Sequence, residues 1–292
     1  MILVTGATGN FGNATIHSLL EKGVKSNQIS ALVRNEHSAE EIKKQGINTL
    51  IGDYDNYDSL VRAFTGVEKL LFVSSSDLIN RSVQHQNVIF AAKEAGVKHI
   101  IYTSFQRKNE SEASPLWIVA KSHIETEKWL KESGIDHTIL KNNLYMDFLP
   151  GFIGEKVTES GVIFVPAEDG KLSAVLRSEM AEAAASILAT DGHIGKEYDF
   201  TNVEALTYHE IAKTVSEVIE KPINYISPTA DEYSKTLSSY GVPAEVVGIF
   251  SSFAVAQAQG ELDVESTDLE KLLGRKPTSV KDFLINFYAI KS

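Results

Sequence analysis

The sequence predicts an α/β protein, in which a doubly wound parallel sheet is followed by a smaller, mostly helical C-terminal part. Two observations lead to this fold class. From residue 2 to about residue 142 of the 292-residue chain, short apolar segments alternate with segments of helical periodicity. Beyond that point the alternation stops, and most apolar residues recur at helical spacing. Regular alternation is typical of parallel strands joined by helices that cover both faces of one sheet.

The first part contains predicted strands and helices in strict alternation. The strands are residues 2–5, 29–33, 47–51, 69–73, 99–102 and 137–140. The helices are residues 13–20, 38–45, 59–64, 80–95 and 117–132. This order predicts that residues 1–142 form a Rossmann-like domain.

The second part, residues 143–292, is expected to be smaller and mainly helical. Its predicted strands are residues 161–166, 197–200 and 223–226. Its predicted helices are residues 178–189, 206–219, a segment near 231, 244–258, 267–272 and 279–287. We expect the chain to cross back to the sheet near residues 171–200. A helical part packed over the open side of a parallel sheet is a usual place for a pocket, so we expect it to bind the substrate.

The composition argues against several kinds of partner and site. A formal net charge of −11, without a basic cluster, disfavours nucleic acid or an anionic membrane as the main partner. The chain has no cysteine, which excludes disulfides and thiolate metal sites and fits the cytoplasm, where we expect the protein to be. No apolar run approaches the roughly 18 residues of a membrane span, and we expect no cleaved leader before the first strand.

The first predicted strand runs into a glycine-rich turn and then into a helix. Gly6 lets the chain reverse off the strand, Gly9 lets backbone N–H groups approach a pyrophosphate, and Gly12 lets the helix pack closely on the strand. An ordinary strand–helix turn is the alternative, but the position between strand and helix favours dinucleotide binding at the positive end of the helix. The predicted cofactor-binding residues of this turn are Gly6, Thr8, Gly9, Asn10, Phe11 and Gly12.

The residues after the second and third strands bear on the choice of cofactor. Arg34 stands where an NAD-preferring domain offers an acidic residue to the ribose, and its guanidinium can bind the 2′-phosphate of NADP. A solvated surface arginine is the alternative, and Glu36 keeps NAD open. Asp53 can accept a hydrogen bond from the adenine amino group, or it can serve a turn or helix cap. The sequence therefore favours NADPH over NADH.

Polar residues also follow the later strands, where the carboxyl ends of a parallel sheet meet at one crevice. They either line the cofactor or belong to ordinary polar loops and caps. The predicted cofactor contacts here are Ser74, Ser75, Ser76, Ser104 and Asn142, and Asn143 is a tentative catalytic residue that can bond the carboxamide or the acceptor oxygen.

The helix after the fifth strand has Trp117 and Lys121 at the spacing of the Tyr-x-x-x-Lys element of short-chain dehydrogenases. Further segments match the same family: residues 6–12, 32–35, 52–54, 69–73, 95–100, 114–116, 123–127, 140–145, 177–181 and 206–211. With them, the chain resembles an atypical short-chain dehydrogenase/reductase of the NmrA-like group, and within it bacterial NADPH:quinone oxidoreductases and triphenylmethane-dye reductases. The resemblance implies that Lys121 bonds the nicotinamide ribose and takes part in catalysis. The alternative is an exposed helical pair with Glu125.

Trp117 stands where the Tyr-x-x-x-Lys element has its tyrosine, and this difference limits the reactions that the protein can catalyse. Reduction of an ordinary ketone gives an alkoxide, whose conjugate acid has a pKa near the ~15.7 of water, and Trp117 cannot supply the proton. A quinone gives a phenolate-like oxygen of pKa ~10 or below, and a cationic dye needs no proton. We therefore expect hydride transfer from NADPH to a quinone or similar flat, electron-poor acceptor, without metal or flavin. Phe105, Tyr145 and Phe148 are candidates to stack on the acceptor, or else they are core residues.

Two other functions are compatible with the sequence. The resemblance includes non-catalytic regulators that bind NAD or NADP and signal through a partner protein. Similarity across the wider dehydrogenase family also suggests a nucleoside-diphosphate-sugar epimerase, which would need the missing tyrosine. A homodimer is compatible with any of these functions.

Overall fold

The computed structural model describes residues 1–289, which contain one seven-stranded parallel sheet and one two-stranded sheet. The last three residues of the predicted second part lie outside the described residues. The strands of the large sheet are β1 (Ile2–Val4), β2 (Ile29–Val33), β3 (Asn48–Ile51), β4 (Lys69–Phe72), β5 (His99–Phe105), β6 (Asp136–Asn142) and β8 (Glu197–Phe200). Their order is β3-β2-β1-β4-β5-β6-β8, which confirms the predicted fold class.

Helices cover both faces of the large sheet because successive strand residues point to opposite sides. Leu70 and Phe72 of β4 pack with the third, fourth and fifth helices, whereas Leu71 packs with the first and second. These helices are α1 (Asn10–Glu21), α2 (Glu36–Lys43), α3 (Tyr57–Phe64), α4 (Arg81–Ala95) and α5 (Trp117–Ser133).

Local capping fixes where the early helices begin. The side chain of Asn35 accepts a hydrogen bond from the Ser38 N–H at the start of α2, and Asn56 does the same for Ser59 at the start of α3. Helix α1 begins at Asn10, three residues before the predicted start, because Gly9 takes an extended N-cap conformation. The end of the glycine turn is therefore part of the helix.

Strands β5 and β6 are longer than predicted and pair over seven residues, from His99 with Asp136 to Phe105 with Asn142. The extension places Ser104 and Asn142 inside strands rather than in the loops after them. It brings both residues to the edge of the sheet where the cofactor crevice was expected.

The chain returns to the large sheet after β6, as expected for residues 171–200. Helix α8 (Arg177–Ala189) packs against α1, and β8 then adds to β6 as a seventh parallel strand. The sheet thus takes one strand from beyond residue 142.

The rest of the second part is mainly helical. Strands β7 (Val162–Phe164) and β9 (Asn224–Ile226) form the small parallel sheet. The remaining helices are α6 (Leu149–Ile153), α7 (Val157–Ser160), α9 (Tyr208–Ile219), α10 (Ala230–Ser239), α11 (Ala244–Ala258), α12 (Asp268–Leu273) and α13 (Val280–Ala289). The short helices α6 and α7 were not predicted. Among residues 1–289, no helix combines the length and the apolar character that crossing a membrane requires.

Candidate active site

A cavity of about 600 Å³ runs along the carboxyl ends of β1 to β4, and we call it the glycine-turn cavity. Every predicted cofactor residue of the turn lines it, from Gly6 to Gly12. Arg34, Asp53 and the segment Ser74–Ser76 complete the part of its wall that the sequence predicted.

The glycine turn is held by contacts that leave no room for side chains at two positions. Gly6 has a φ of +60°, in the left-handed region that favours glycine. A Cβ on Gly12 would lie 2.4 Å from the carbonyl oxygen of Gly6, well inside van der Waals contact. The N–H groups of the first turn of α1 have no carbonyl four residues earlier within the helix, so they can bind an anion at this end of the cavity.

Arg34 places a positive charge at the end of β2. Arg34 is exposed at the cavity wall and, within the described part of the chain, forms no ion pair. Glu36 does not line the cavity, because its carboxylate lies 2.7 Å from Lys43 Nζ at the other end of α2. Ser38, which the sequence analysis did not single out, lies beside Arg34 in the wall. Asp53 faces the cavity while accepting a hydrogen bond from the Asp55 N–H at 3.1 Å.

A second cavity of about 480 Å³, the apolar cavity, adjoins the first over β5 and β6. The two cavities share Ser74–Ser76, Tyr145 and Arg177 as common wall. Leu78, Val119 and Leu144 line its inner side, and Ile249 and Phe253 of α11 cover it. The crevice thus has a polar half and an apolar half that open into each other.

The three aromatic residues predicted to contact an acceptor all line the apolar cavity. Phe105 is buried against Phe253, whereas Phe148 is 44% exposed. The Tyr145 and Phe148 rings lie 5.9 Å apart, and the Arg177 guanidinium stands 5.2 Å from each. Burial raises the pKa of Tyr145, so its phenol stays protonated at neutral pH.

Residues 1–284 match the model of the NmrA-like family. The chain belongs to this family. It is 36% identical over 293 residues to quinone oxidoreductase 2 of Escherichia coli (strain K12), with 100% of each chain covered. A solved structure of the NADPH-dependent quinone oxidoreductase from Escherichia coli, complexed with NADPH, has a TM-score of 0.90 and 37% identity and covers 99% of this chain and 100% of that one. The Citrobacter sp. triphenylmethane reductase complexed with NADP(H) has a TM-score of 0.90 and 38% identity, with 98% and 99% covered.

Not every predicted site residue of this NmrA-like protein reaches the crevice. Lys121 is exposed and lines neither cavity, so its contact with the ribose stays a prediction without support from the cavity walls. Trp117, at the start of α5, also lies outside both cavities. We therefore carry neither residue into the proposed site.

Asn142 and Asn143 both line the apolar cavity, but their side chains are used differently. Asn143 Nδ2 lies 3.2 Å from Thr201 Oγ1 and from the Leu262 carbonyl oxygen, and its Oδ1 accepts from the Leu144 N–H. These bonds hold the end of β6 to the C-terminal part. Asn142 Oδ1, by contrast, is buried and has no partner among the described residues, so its acceptor is free for a bound group.

The Ser104 hydroxyl is hydrogen-bonded to the buried ion pair of Glu127 and Arg107. It donates to the Glu127 carboxylate, which also binds Arg107 through two hydrogen bonds of 2.9 and 2.8 Å. Ser104 lines the apolar cavity rather than the glycine-turn cavity. Its hydrogen bond to Glu127 links β5 to α5, and its contact with the cofactor stays a prediction.

Three basic residues that were not predicted as site residues line the apolar cavity. Arg81 begins α4, His123 lies on α5 two residues after Lys121, and Arg177 begins α8. No strand end marks their positions, and only the packing of helices brings them to the crevice. Among residues 1–289, no group of three or more His, Asp or Glu side chains is placed to hold a metal ion.

Proposed function

We propose that the protein is an NADPH-dependent reductase that transfers hydride to a quinone or a similar flat, electron-poor acceptor. The observation that carries this proposal is the shared wall between the two cavities. A dinucleotide in the glycine-turn cavity would end beside Ser74–Ser76 and Tyr145, at the opening of the apolar cavity. A flat acceptor in the apolar cavity would then lie next to it.

The residues present fit NADPH. The first turn of α1 offers N–H groups to the diphosphate, and Gly12 leaves the space that a Cβ would fill. Arg34 can bind the 2′-phosphate, because its guanidinium lines the cavity and forms no ion pair within the described residues. The free acceptor of Asn142 suits the carboxamide N–H₂ group. When bound, the cofactor supplies the hydride.

The chain itself contributes orientation rather than a dedicated acid. Phe105, Tyr145 and Phe148 bound the space for a flat ring, and a quinone reduced there gives an oxygen that water can protonate. A cationic dye reduced there needs no proton. Because Trp117 and Lys121 lie outside both cavities, the site lacks the tyrosine–lysine pair that alcohol or epimerase chemistry needs.

The first experiment follows NADPH and NADH consumption by the purified protein with a panel of quinones, with Arg34→Ala beside it. We expect NADPH oxidation by the wild type. In Arg34→Ala, kcat/KM for NADPH should fall roughly 10- to 100-fold while that for NADH changes less than about threefold, because one charge-assisted contact to the 2′-phosphate is lost. Arg62→Ala, at an exposed position on α3, removes the same charge and should change neither value.

Two results would contradict this assignment. Tight cofactor binding without oxidation for any quinone or dye would favour a non-catalytic sensor that acts through a partner protein. An equal fall in kcat/KM for NADPH and for NADH in Arg34→Ala would show that Arg34 does not bind the 2′-phosphate.

A further inference from the structure

Arg81 is a buried cation without a counter-ion at the wall of the apolar cavity. Its side chain is 7% exposed and lines the cavity. Within residues 1–289 it forms no ion pair, and its Nε has no hydrogen-bond partner. Burying an unpaired charge is costly, and buried charges are normally paired. A free guanidinium in an acceptor cavity therefore points to a bound anionic group.

Three other arginines differ from Arg81 in that each has a carboxylate partner. Arg107 is paired with Glu127, Arg275 with Glu179 and Arg177 with Asp147. The residues that line the apolar cavity include no aspartate or glutamate.

The contact with His123 orients Arg81 without neutralising it. Arg81 Nη1 lies 3.3 Å from His123 Nε2, and a guanidinium can only donate, so we assign Nε2 as the acceptor. The other ring nitrogen, Nδ1, then carries the proton and donates a hydrogen bond to Tyr102 Oη, 2.6 Å from it. Burial lowers the pKa of His123 well below its usual value, and the charge of Arg81 lowers it further. The imidazole is therefore neutral, and the positive charge stays on Arg81.

Two carboxylates in this region, Glu127 and Asp77, are already hydrogen-bonded to other groups. Glu127 binds Arg107 and the Ser104 hydroxyl. Asp77 accepts hydrogen bonds from the N–H groups of Ile79 and Asn80 and from Asn80 Nδ2 at the start of α4. Neither carboxylate is free to swing toward Arg81 without breaking these bonds.

We propose that Arg81 binds and stabilises the anionic oxygen that forms on the acceptor when hydride is added, and that His123 is the positioning residue for it. This inference rests on the proposed reductase function. Hydride addition places two electrons and one proton on a quinone and leaves one ring oxygen as a phenolate, which takes its second proton from solvent water. The guanidinium donates to that oxygen as its charge develops. A cationic dye forms no such oxygen, so Arg81 favours acceptors whose reduction creates an oxyanion.

The test compares Arg81→Met with Arg62→Met on two acceptors, 1,4-naphthoquinone and a cationic triphenylmethane dye. Loss of a donor that acts mainly in the transition state lowers kcat and kcat/KM together, so we expect Arg81→Met to reduce kcat for the quinone ~100-fold with little change in KM. The rate with the dye should change less than about threefold or rise, because a repelling cation is removed. Arg62→Met, which removes a charge from the exposed surface, should leave both reactions unchanged.

Rescue and positioning variants separate charge from structure. Arg81→Lys keeps the charge but loses the planar fork, so we expect a loss of roughly 10-fold with the quinone. His123→Phe fills a similar volume without the acceptor, and it should lower the quinone rate while sparing the dye. Equal losses with both acceptors in either Arg81 variant, at unchanged NADPH affinity, would show a merely structural role and overturn the proposal.

A binding measurement distinguishes failure of this inference from failure of the reductase assignment. 4-Nitrophenol is titrated in the presence of saturating wild-type protein and followed by the absorbance of its phenolate. Stabilisation by Arg81 should lower the pKa of the bound phenol by about one unit or more, and Arg81→Met should abolish the shift. An unshifted pKa of the phenol with wild-type protein would overturn the role of Arg81 even where quinones are reduced. A shift without any NADPH oxidation would instead reject the reductase function.

Discussion

Gly12 carries the strictest steric requirement in the glycine turn. It lies inside α1, where alanine is normally preferred, yet a Cβ there would lie 2.4 Å from Gly6 O and 2.8 Å from Thr5 O. Both oxygens belong to backbone that cannot rotate away like a flexible side chain. Close approach of helix and strand, and with it the shape of the cofactor cavity, depends on this one position.

Gly12→Ala should destabilise the protein by about 3 kcal/mol and sharply weaken NADPH binding, because the strand and helix must move apart. Gly248→Ala is the matched control, since Gly248 is an exposed residue of α11 with open space at its Cβ position. It should stabilise by up to about 1 kcal/mol, as alanine does inside helices. Urea unfolding measures both changes, and an unchanged stability in Gly12→Ala would contradict this account.

The sequence predicted which residues line the crevice where those residues follow strands. Arg34 and Ser74 line it because the carboxyl ends of parallel strands meet at one edge, so the fold class alone gives their position. Residues on helices could not be placed in this way. Lys121 and His123 are two positions apart on α5, and that spacing turns one side chain to solvent and the other into the cavity. Only the packing of α5 on the sheet decides which residue faces the crevice.

At the scale of the elements, α4 and α5 are joined by a buried polar network that also holds the loop after β4. His85 Nε2 accepts a hydrogen bond from the Ser75 N–H at 3.0 Å, and His85 Nδ1 lies 2.8 Å from Thr126 Oγ1. We assign the proton to Nδ1, because Nε2 must be the acceptor for a backbone N–H. The wall shared by the two cavities therefore depends on a neutral histidine.

This network predicts how stability changes with pH. Burial, with a smaller contribution from the charge of Arg81, lowers the pKa of His85 to about 3. The unfolded chain binds a proton near pH 6.5 and the folded chain does not, so this stability is present above pH 6.5 and is lost as pH falls toward 3. Between pH 6.5 and 5 the loss from this residue should be about 2 kcal/mol.

Urea unfolding at both pH values, on the wild type and on His85→Gln, tests the effect. The glutamine keeps an acceptor for the Ser75 N–H but does not titrate. Between pH 6.5 and 5, His85→Gln should therefore lose about 2 kcal/mol less stability than the wild type. His17→Gln, at an exposed position on α1, should behave as the wild type. An equal fall in His85→Gln would mean that other groups cause the acid sensitivity.

At the scale of the whole molecule, the crevice is assembled from segments far apart in the chain. Its walls run from Gly6 in the first turn to Phe253 on α11, with Arg177 in both cavities. A ligand that spans these walls binds the folded chain and not the unfolded one. Cofactor binding and global stability should therefore be coupled.

NADPH at 100 times its Kd should stabilise the protein by ~2.7 kcal/mol and raise Tm by roughly 4 °C. Arg34→Ala at the same NADPH concentration should show a smaller rise, because less of the protein is bound. Scanning calorimetry with and without NADPH measures this. A rise of equal size in wild type and variant would argue against Arg34 as a cofactor contact.

The segment in which the chain returns to the sheet was predictable from the sequence. The hydrogen bonds that hold this segment were not. The strand at 197–200 was predicted from the sequence, whereas its pairing with β6 was not, and Asn143 at the end of β6 adds hydrogen bonds to Thr201 and Leu262. Nothing in the local sequence of Asn143 distinguishes such a link from a catalytic amide. Its prediction as a tentative catalytic residue followed from position alone.

The late arrival of β8 also matters for a chain that is still being made. Synthesis proceeds from the N-terminus, so β6 emerges from the ribosome well before its outer neighbour at Glu197–Phe200. Until then one edge of β6 offers unpaired backbone groups, which are a template for pairing with other nascent chains. The bonds that fix β8 in place require residues 262 and 264 as well. The outer edge of β6 is therefore unpaired until these later residues have been synthesised.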